Sequence, residues 1–173
     1  MMLLLDLNCT PKVNVKYDFL KDTDFSRFKT FTFMDIPENI QIRTYTLKEI
    51  KSHTTAVLKQ KGLSQSSESP DLLVAIHTEL SETKSIANWG YTYAPNNMYW
   101  AGPDYWGGKS IDTYYAGKGT LILDFAKADS KELIWRGIAE TALPDHPNVD
   151  KISEIVEKTV HKMLENYPPK DIK

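Results

Sequence analysis

Alternation of apolar and polar residues, the pattern of a half-buried strand, limits what this chain can fold into more than any other feature. Five segments alternate in this way or are rich in β-branched and aromatic residues, and we predict a strand in each: Val13 to Tyr17, Phe28 to Phe33, Leu72 to Leu80, Leu121 to Phe125 and Leu133 to Ile138. The last two flank turn-forming residues at Asp129 and Ser130, which predicts a β-hairpin.

Two other segments repeat apolar residues every three or four positions, which predicts amphipathic helices. The first contains Leu47, Ile50, Thr54, Val57 and Leu58, and the second contains Ile152, Ile155, Val156, Val160, Met163 and Leu164. At the first helix, Thr46 and Glu49 fit a capping box, and Gly62 suits the left-handed residue after its end. At the second helix, Asp150 is the predicted cap and Pro168 prevents continuation.

The order of these elements, β-β-α-β-loop-β-β-α, predicts an α+β fold. Because hairpins join most of the strands, we expect an antiparallel sheet of about five strands with both helices packed on one face and a long aromatic-rich loop. A single domain is expected over residues 13–169, followed by a tail at residues 170–173.

Charge and cysteine content exclude several classes of function. The chain has 21 Lys and Arg against 23 Asp and Glu, a net charge of -2, so no positive field favours a nucleic-acid partner. The single cysteine, Cys9, excludes an intrachain disulfide and a cysteine-rich zinc site.

Motifs of catalysis and metal binding are also missing from the sequence. The histidines, at positions 53, 77, 146 and 161, have no HExxH spacing, and the chain has no GxSxG elbow. We therefore predict no catalytic residue, no cofactor and no metal site, since metal ligands would have to come from distant parts of the chain. His53 is expected to be a partly buried structural residue, and His77 to form a solvated pair with Glu79 on one strand face.

The amino terminus has an apolar start that ends at Cys9, but Asp6 interrupts it and no Lys or Arg precedes it. Residues 1–12 are therefore either the remnant of a lipoprotein signal or a flexible terminus with an incidental cysteine. In the first case Cys9 is the candidate for lipidation.

Nine tyrosines and tryptophans lie between Trp89 and Tyr115, mixed with glycine, proline and asparagine. A long irregular segment of this kind is usually functional or disordered. Its side chains suit stacking on sugars, docking at a protein interface or contact with lipid headgroups; alternatively, the rings fold over the sheet and bury themselves. The candidates for ligand or partner binding are Trp89, Tyr91, Tyr93, Tyr99, Trp100, Tyr105 and Trp106.

Several short motifs, in this order and spacing, are similar to those of one bacterial family. They are Tyr17-Asp18, FSRFKTF from Phe25, the helix end KGL from Lys61, PDLLV from Pro70, GTLILD from Gly119, LIWRG from Leu133 and YPP from Tyr167. From about Val13 to Pro169 the chain resembles a family of predicted bacterial lipoproteins classed as domain of unknown function 4136. The resemblance implies an exported protein tethered through a lipidated cysteine, with Cys9 in the expected place. It implies no reaction, so no catalytic residue is carried over.

The hairpin motifs are interpreted as structural, with Trp135 on the core face beside Leu133 and Arg136 on the opposite face beside Asp124. We expect a non-enzymatic protein of the bacterial cell envelope that faces the periplasm, is held to the membrane only through a lipid anchor, and presents a surface to another envelope component. The alternative is a module that binds a cell-wall or outer-membrane glycan, or a small ligand, through the aromatic loop.

Overall fold

The computed structural model describes residues 12–37, 42–81, 118–144 and 148–170 of the chain. They form six strands, two helices and a short 3-10 helix at Phe25–Arg27. The strands are β1 Val13–Phe19, β2 Thr30–Phe33, β3 Ser64–Gln65, β4 Leu72–Ser81, β5 Lys118–Lys127 and β6 Leu133–Ala142, and the helices are α1 Thr44–Gln60 and α2 Val149–Leu164. Neither helix in these ranges is long and apolar enough to cross a membrane.

The strands form one sheet in the order β1-β6-β5-β4-β2-β3. The four strands β1, β6, β5 and β4 pair antiparallel, and the predicted hairpin is β5 and β6. The prediction of an α+β fold with two helices is therefore confirmed. The sheet has six strands where about five were expected, and it is mixed rather than antiparallel throughout. Strand β2 pairs parallel with both β4 and β3.

The parallel pairing follows from the connection between β2 and β4. Helix α1 lies between these two strands in the sequence, and a helical crossover returns the chain to the end of the sheet where β2 began. The sixth strand, β3, has only two residues, Ser64 and Gln65, both exposed. Periodicity cannot reveal so short a strand, so it is not among the predicted strands.

Both helices pack on one face of the sheet, where one hydrophobic core joins them to the strands. At its centre Trp135 of β6 and Phe125 of β5 surround the ring of Tyr167, which stacks on Phe125 at a centroid distance of 4.4 Å. Trp135 donates from Nε1 to the carbonyl oxygen of Asn166, 3.2 Å away, just after α2. The predicted place of Trp135 on the core face is therefore confirmed.

The prediction that Leu133 shares the core face with Trp135 is wrong. The pairing of β5 and β6 shifts by one residue at Phe125/Ala126, so that Leu133 pairs with Ala126. Ile134 takes the place in the core cluster instead. A β-bulge of this kind reverses the side to which the residues beyond it point.

Both predicted helix amino termini are wrong, whereas the carboxyl end of α1 is confirmed. Helix α1 begins earlier than the predicted capping box, and its cap, Arg43, makes no side-chain hydrogen bond. At α2 the cap is Asn148, not Asp150, and its side chain accepts from the Lys151 amide at 2.8 Å. Gly62 has the predicted left-handed conformation, with φ of 89°.

Candidate functional site

The predicted functional residues lie outside the described part of the chain. Cys9 precedes it, and all seven aromatic candidates fall between residues 82 and 117. Residues 82–117, which contain the predicted aromatic loop, are called the aromatic segment from here on. The structure defines where this segment is attached, because its flanking residues, Ser81 at the end of β4 and Lys118 at the start of β5, are paired across two antiparallel strands. The segment therefore leaves and rejoins the sheet at one point.

The face of the sheet opposite the helices carries a group of polar residues that leads to this point, four of them buried. We call it the polar sheet face and define it by His77, Glu79, Lys118, Asp124, Arg136 and Glu140. Alternation places these six residues on one side: Arg136 lies between Trp135 and Gly137, both of which face α2, so its own side chain points away from the helices.

An ion pair between Asp124 and Arg136 forms the base of the polar sheet face. The two residues are direct partners on β5 and β6, as the sequence predicts. Arg136 donates from Nε to Oδ1 and from Nη2 to Oδ2 of Asp124, each at 2.6 Å. Asp124 is 0% exposed and Arg136 is 4% exposed, so this is a fork-shaped charge-assisted contact away from water.

His77 of β4 joins the ion pair from the third central strand. Its Nε2 lies 3.2 Å from Oδ2 of Asp124, and its side chain is 1% exposed. The prediction of a solvated pair with Glu79 is therefore wrong for His77. Alternation correctly places His77 and Glu79 on one face, but it cannot show that a buried carboxylate lies on the neighbouring strand.

The balance of forces on Asp124 keeps its carboxyl group ionised. Burial alone would raise its pKa, but the positive charge of Arg136 and the hydrogen bonds from Arg136 and His77 outweigh burial, and they lower the pKa to about 2. Both carboxylate oxygens already accept hydrogen bonds from protein groups. The arrangement suits a structural connection of the three central strands better than the transfer of a proton.

Three further charged residues continue the polar sheet face toward the attachment point of the aromatic segment. Lys118 donates from Nζ to Oε2 of Glu140 at 2.7 Å, across β5 and β6. Glu79 lies on β4 beside Thr120, the register partner of Glu140, and partial burial raises the pKa of its carboxyl group. The base of the aromatic segment is therefore bordered by two carboxylates and an ammonium group.

A hollow on the surface near the turns is lined by several aspartates, among them Asp24, Asp71 and Asp129. Each of these carboxylates accepts hydrogen bonds from nearby groups of the chain. Asp71, for example, accepts from the amides of Lys29 and Thr30 at 2.8 and 2.9 Å, which lowers its pKa. These aspartates hold turns and strand ends together, and we assign no ligand to the hollow.

Two histidines that the sequence separates widely meet where the helices pack. His53 of α1 lies beside Glu157 and His161 of α2, and these three side chains could together hold a metal ion. His53 is partly buried, as predicted, with a side chain 21% exposed. In the sequence, Glu157 and His161 lie one helical turn apart, but nothing indicates that His53 joins them, because only the packing of α1 on α2 brings it there.

The fold is similar to part of one known structure and to nearly the whole chain of another. A crystal structure of a PDZ domain protein from Parabacteroides distasonis matches 94% of this chain with a TM-score of 0.59 and 19% identity, and the chain spans only 37% of that structure. A structure of the PelC dodecamer from Paraburkholderia phytofirmans matches 88% of this chain and 96% of its own, with a TM-score of 0.50 and 8% identity. At these identities the similarity concerns the fold alone.

No curated protein matches the sequence. A family model does match, over residues 15–169, and its description is domain of unknown function (DUF4136). The matched region begins in β1, ends after α2 and includes the ion pair of Asp124 and Arg136 on the hairpin. The chain belongs to the DUF4136 family.

Proposed function

We propose that this protein is a non-enzymatic component of the bacterial cell envelope, anchored through Cys9, that presents the aromatic segment to another envelope component. The domain serves as a rigid support, and the Trp and Tyr side chains of residues 82–117 make the contacts. The attachment of that segment at the paired residues Ser81 and Lys118 is the observation that carries the proposal.

The two strands that flank the aromatic segment, β4 and β5, support the proposal that its ends are held rigidly. Strands β4 and β5 pair along their whole length, from Leu72 with Lys127 to Ser81 with Lys118. The buried Asp124 connects β5 to Arg136 on β6 and to His77 on β4. A binding segment gains affinity when its ends are fixed, because less conformational freedom is lost on binding.

The support for an anchor comes from the position of Cys9 and from the resemblance of the sequence motifs to those of predicted lipoproteins. Cys9 lies four residues before β1 begins at Val13, so a lipid on this cysteine would hold the amino-terminal edge of the sheet close to a membrane surface. A single acyl chain gives only reversible binding, whereas several chains give stable anchoring.

Metabolic labelling with a lipid precursor in the native host tests the anchor. The gene is expressed from its own chromosomal locus, as wild type and as Cys9→Ser, with Ser64→Ala as a control at an exposed residue. We expect label and membrane fractionation in wild type and Ser64→Ala, and loss of both in Cys9→Ser. An unlabelled wild-type protein would contradict the anchor.

The alternative proposal is a glycan-binding module in which Trp89, Trp100 and Trp106 stack on sugar rings. Composition favours it, since all tryptophans except the buried Trp135 lie in the aromatic segment. Titration with cell-wall fragments should then shift the tryptophan emission of the wild type. A variant with Phe at positions 89, 100 and 106 retains only Trp135, reports on folding and should show no shift. A wild-type spectrum that stays constant across the panel would contradict glycan stacking.

A further inference from the structure

We propose that His53, Glu157 and His161 form a binding site for one zinc-class divalent metal ion, on the outer side of the domain where α1 and α2 pack. The site is independent of the proposed envelope function. One potential ligand atom from each of the three side chains lies within 4.8 Å of the others.

The distances are close to those that a metal ion requires. Nitrogen and oxygen ligands lie about 2.1 Å from zinc, so two ligands of a tetrahedral ion are about 3.4 Å apart. The ligand atoms lie within 4.8 Å of one another, so at most about 1.4 Å has to close, which small side-chain rotations can supply. Glu157 and His161 are exposed, so they can adjust without disturbing the core.

The positions on the helices hold the three groups in place. Glu157 and His161 are four residues apart on α2 and therefore project from one face. His53 reaches them from α1, and the two helices have extensive mutual contacts within the common core. The group thus joins residues about a hundred positions apart in the sequence, and a bound ion would connect the two helices directly.

The chemistry of the three ligands selects the class of ion. Two imidazoles and one carboxylate suit borderline ions such as Zn²⁺, Co²⁺, Ni²⁺ and Cu²⁺, whereas Ca²⁺ and Mg²⁺ require a shell of oxygen atoms. Three protein ligands leave at least one coordination position for water. Because two of the ligands are exposed, that position would face solvent.

Glu49 and Ser153 form an outer layer behind His53. Oε2 of Glu49 lies 3.6 Å from Nε2 of His53, one helical turn away on α1. The same carboxylate oxygen accepts a hydrogen bond from the hydroxyl of Ser153 on α2. Histidines that bind metals usually donate their second ring N–H to a carboxylate, which fixes the ring and its tautomer. The distance of 3.6 Å is slightly too long for a hydrogen bond, and a small shift of the ring would let Glu49 accept the Nε2 proton when His53 binds the ion through Nδ1.

Metal titration of the untagged chain tests the site. Cys9→Ser is used as the background in every sample, so that the thiol cannot contribute a ligand. Binding of Zn²⁺ is measured by calorimetry and binding of Co²⁺ by visible absorption, after treatment with a chelator and desalting. We expect one ion per chain, and a rise in Tm of roughly 5–10 °C when the ion is present at about 100 times its Kd.

Variants show whether these three residues are the ligands. His161→Ala and Glu157→Gln change exposed side chains, and each should weaken Zn²⁺ binding at least about tenfold, as should His53→Ala. Glu49→Gln should weaken binding by about 10-fold through its effect on His53. The matched control is Glu154→Gln, an exposed residue on α2 that pairs with Lys151, which should bind like the background chain. Circular dichroism is used to check that each variant is folded.

The proposal is overturned if the background chain binds neither ion, or if His161→Ala and Glu157→Gln bind as tightly as the background chain. Both of these variants leave the partly buried His53 in place, so a failure of His53→Ala to fold would not affect the test.

Discussion

Arg136 holds both carboxylate oxygens of Asp124 across two neighbouring strands, at 2.6 Å each and with both side chains buried. A buried ion pair adds little stability compared with an apolar pair of similar size, but loss of one partner leaves an uncompensated charge. The pair therefore matters more for the cost of losing one partner than for the stability that it adds.

Removal of one charge from this pair should be costly. Arg136→Met leaves Asp124 buried without its main partner, and we expect the free energy of unfolding to fall by about 3–5 kcal/mol in urea titrations. The double variant Asp124→Leu with Arg136→Met should recover most of that loss. A loss below about 1 kcal/mol for Arg136→Met would contradict the importance of the pair.

The same pair predicts how stability depends on acid. The pKa of Asp124 is about 2 in the folded protein against 3.8 for the ordinary side chain. A lowered pKa contributes stability that is fully present above about pH 4 and is lost as the pH falls toward 2, a contribution of roughly 2 kcal/mol.

Urea titrations of wild type and Asp124→Asn between pH 7 and pH 2 measure this dependence. The difference in stability between the two proteins should be constant from pH 7 to about pH 5 and should shrink below pH 4. A difference that does not change with pH would show that Asp124 titrates normally in the folded protein.

Gly137 is required by the packing of β6 on α2. A Cβ atom at this position would overlap the ring of Trp135 and lie 2.7 Å from Cγ of Met163, both buried. Gly137→Ala should therefore destabilise the protein by about 1–3 kcal/mol. Gly119→Ala on β5 is the matched control, since the three atoms nearest to its Cβ would all belong to the Leu143 side chain, at 3.1 Å or more. Equal thermal stability of the two variants would contradict this account of the packing.

The cap of α2 can be identified by two single substitutions. Asn148→Ala removes the acceptor of the Lys151 amide and should cost about 1 kcal/mol. Asp150→Ala removes only a favourable charge from the first turn, and the cost should be about 0.3–1 kcal/mol. Thermal unfolding compares the two variants, and a larger effect for Asp150 would reverse the assignment.

Much of the fold could be predicted because the central strands alternate clearly. That pattern places Asp124 beside Arg136 and both opposite the core. The direction of β2 was harder to predict, since its residues alternate in the same way whether its partner strand runs parallel or antiparallel. The β-bulge that places Ile134 rather than Leu133 in the core gives no signal in the periodicity of the sequence.

The candidate sites depend on contacts between distant segments, and these are less predictable. His77 meets Asp124 only because β4 and β5 are neighbours, and His53 meets His161 only because the helices pack together. In each case the sequence shows the chemical group but not its partner. The aromatic segment can be recognised in the sequence by its composition. Its point of attachment to the sheet is shown only by the pairing of Ser81 with Lys118 in the structure.

The central claim, that the aromatic segment contacts another envelope component, is tested by crosslinking in living cells. A photoreactive amino acid is placed at Tyr99, Trp100 or Trp106 in the native host, with controls at the exposed residues Tyr45 and Val149 of the helices. We predict a discrete adduct, specific to the segment positions and recovered with the envelope. The absence of any adduct at these positions, or the same adducts at Tyr45 and Val149, would contradict the claim.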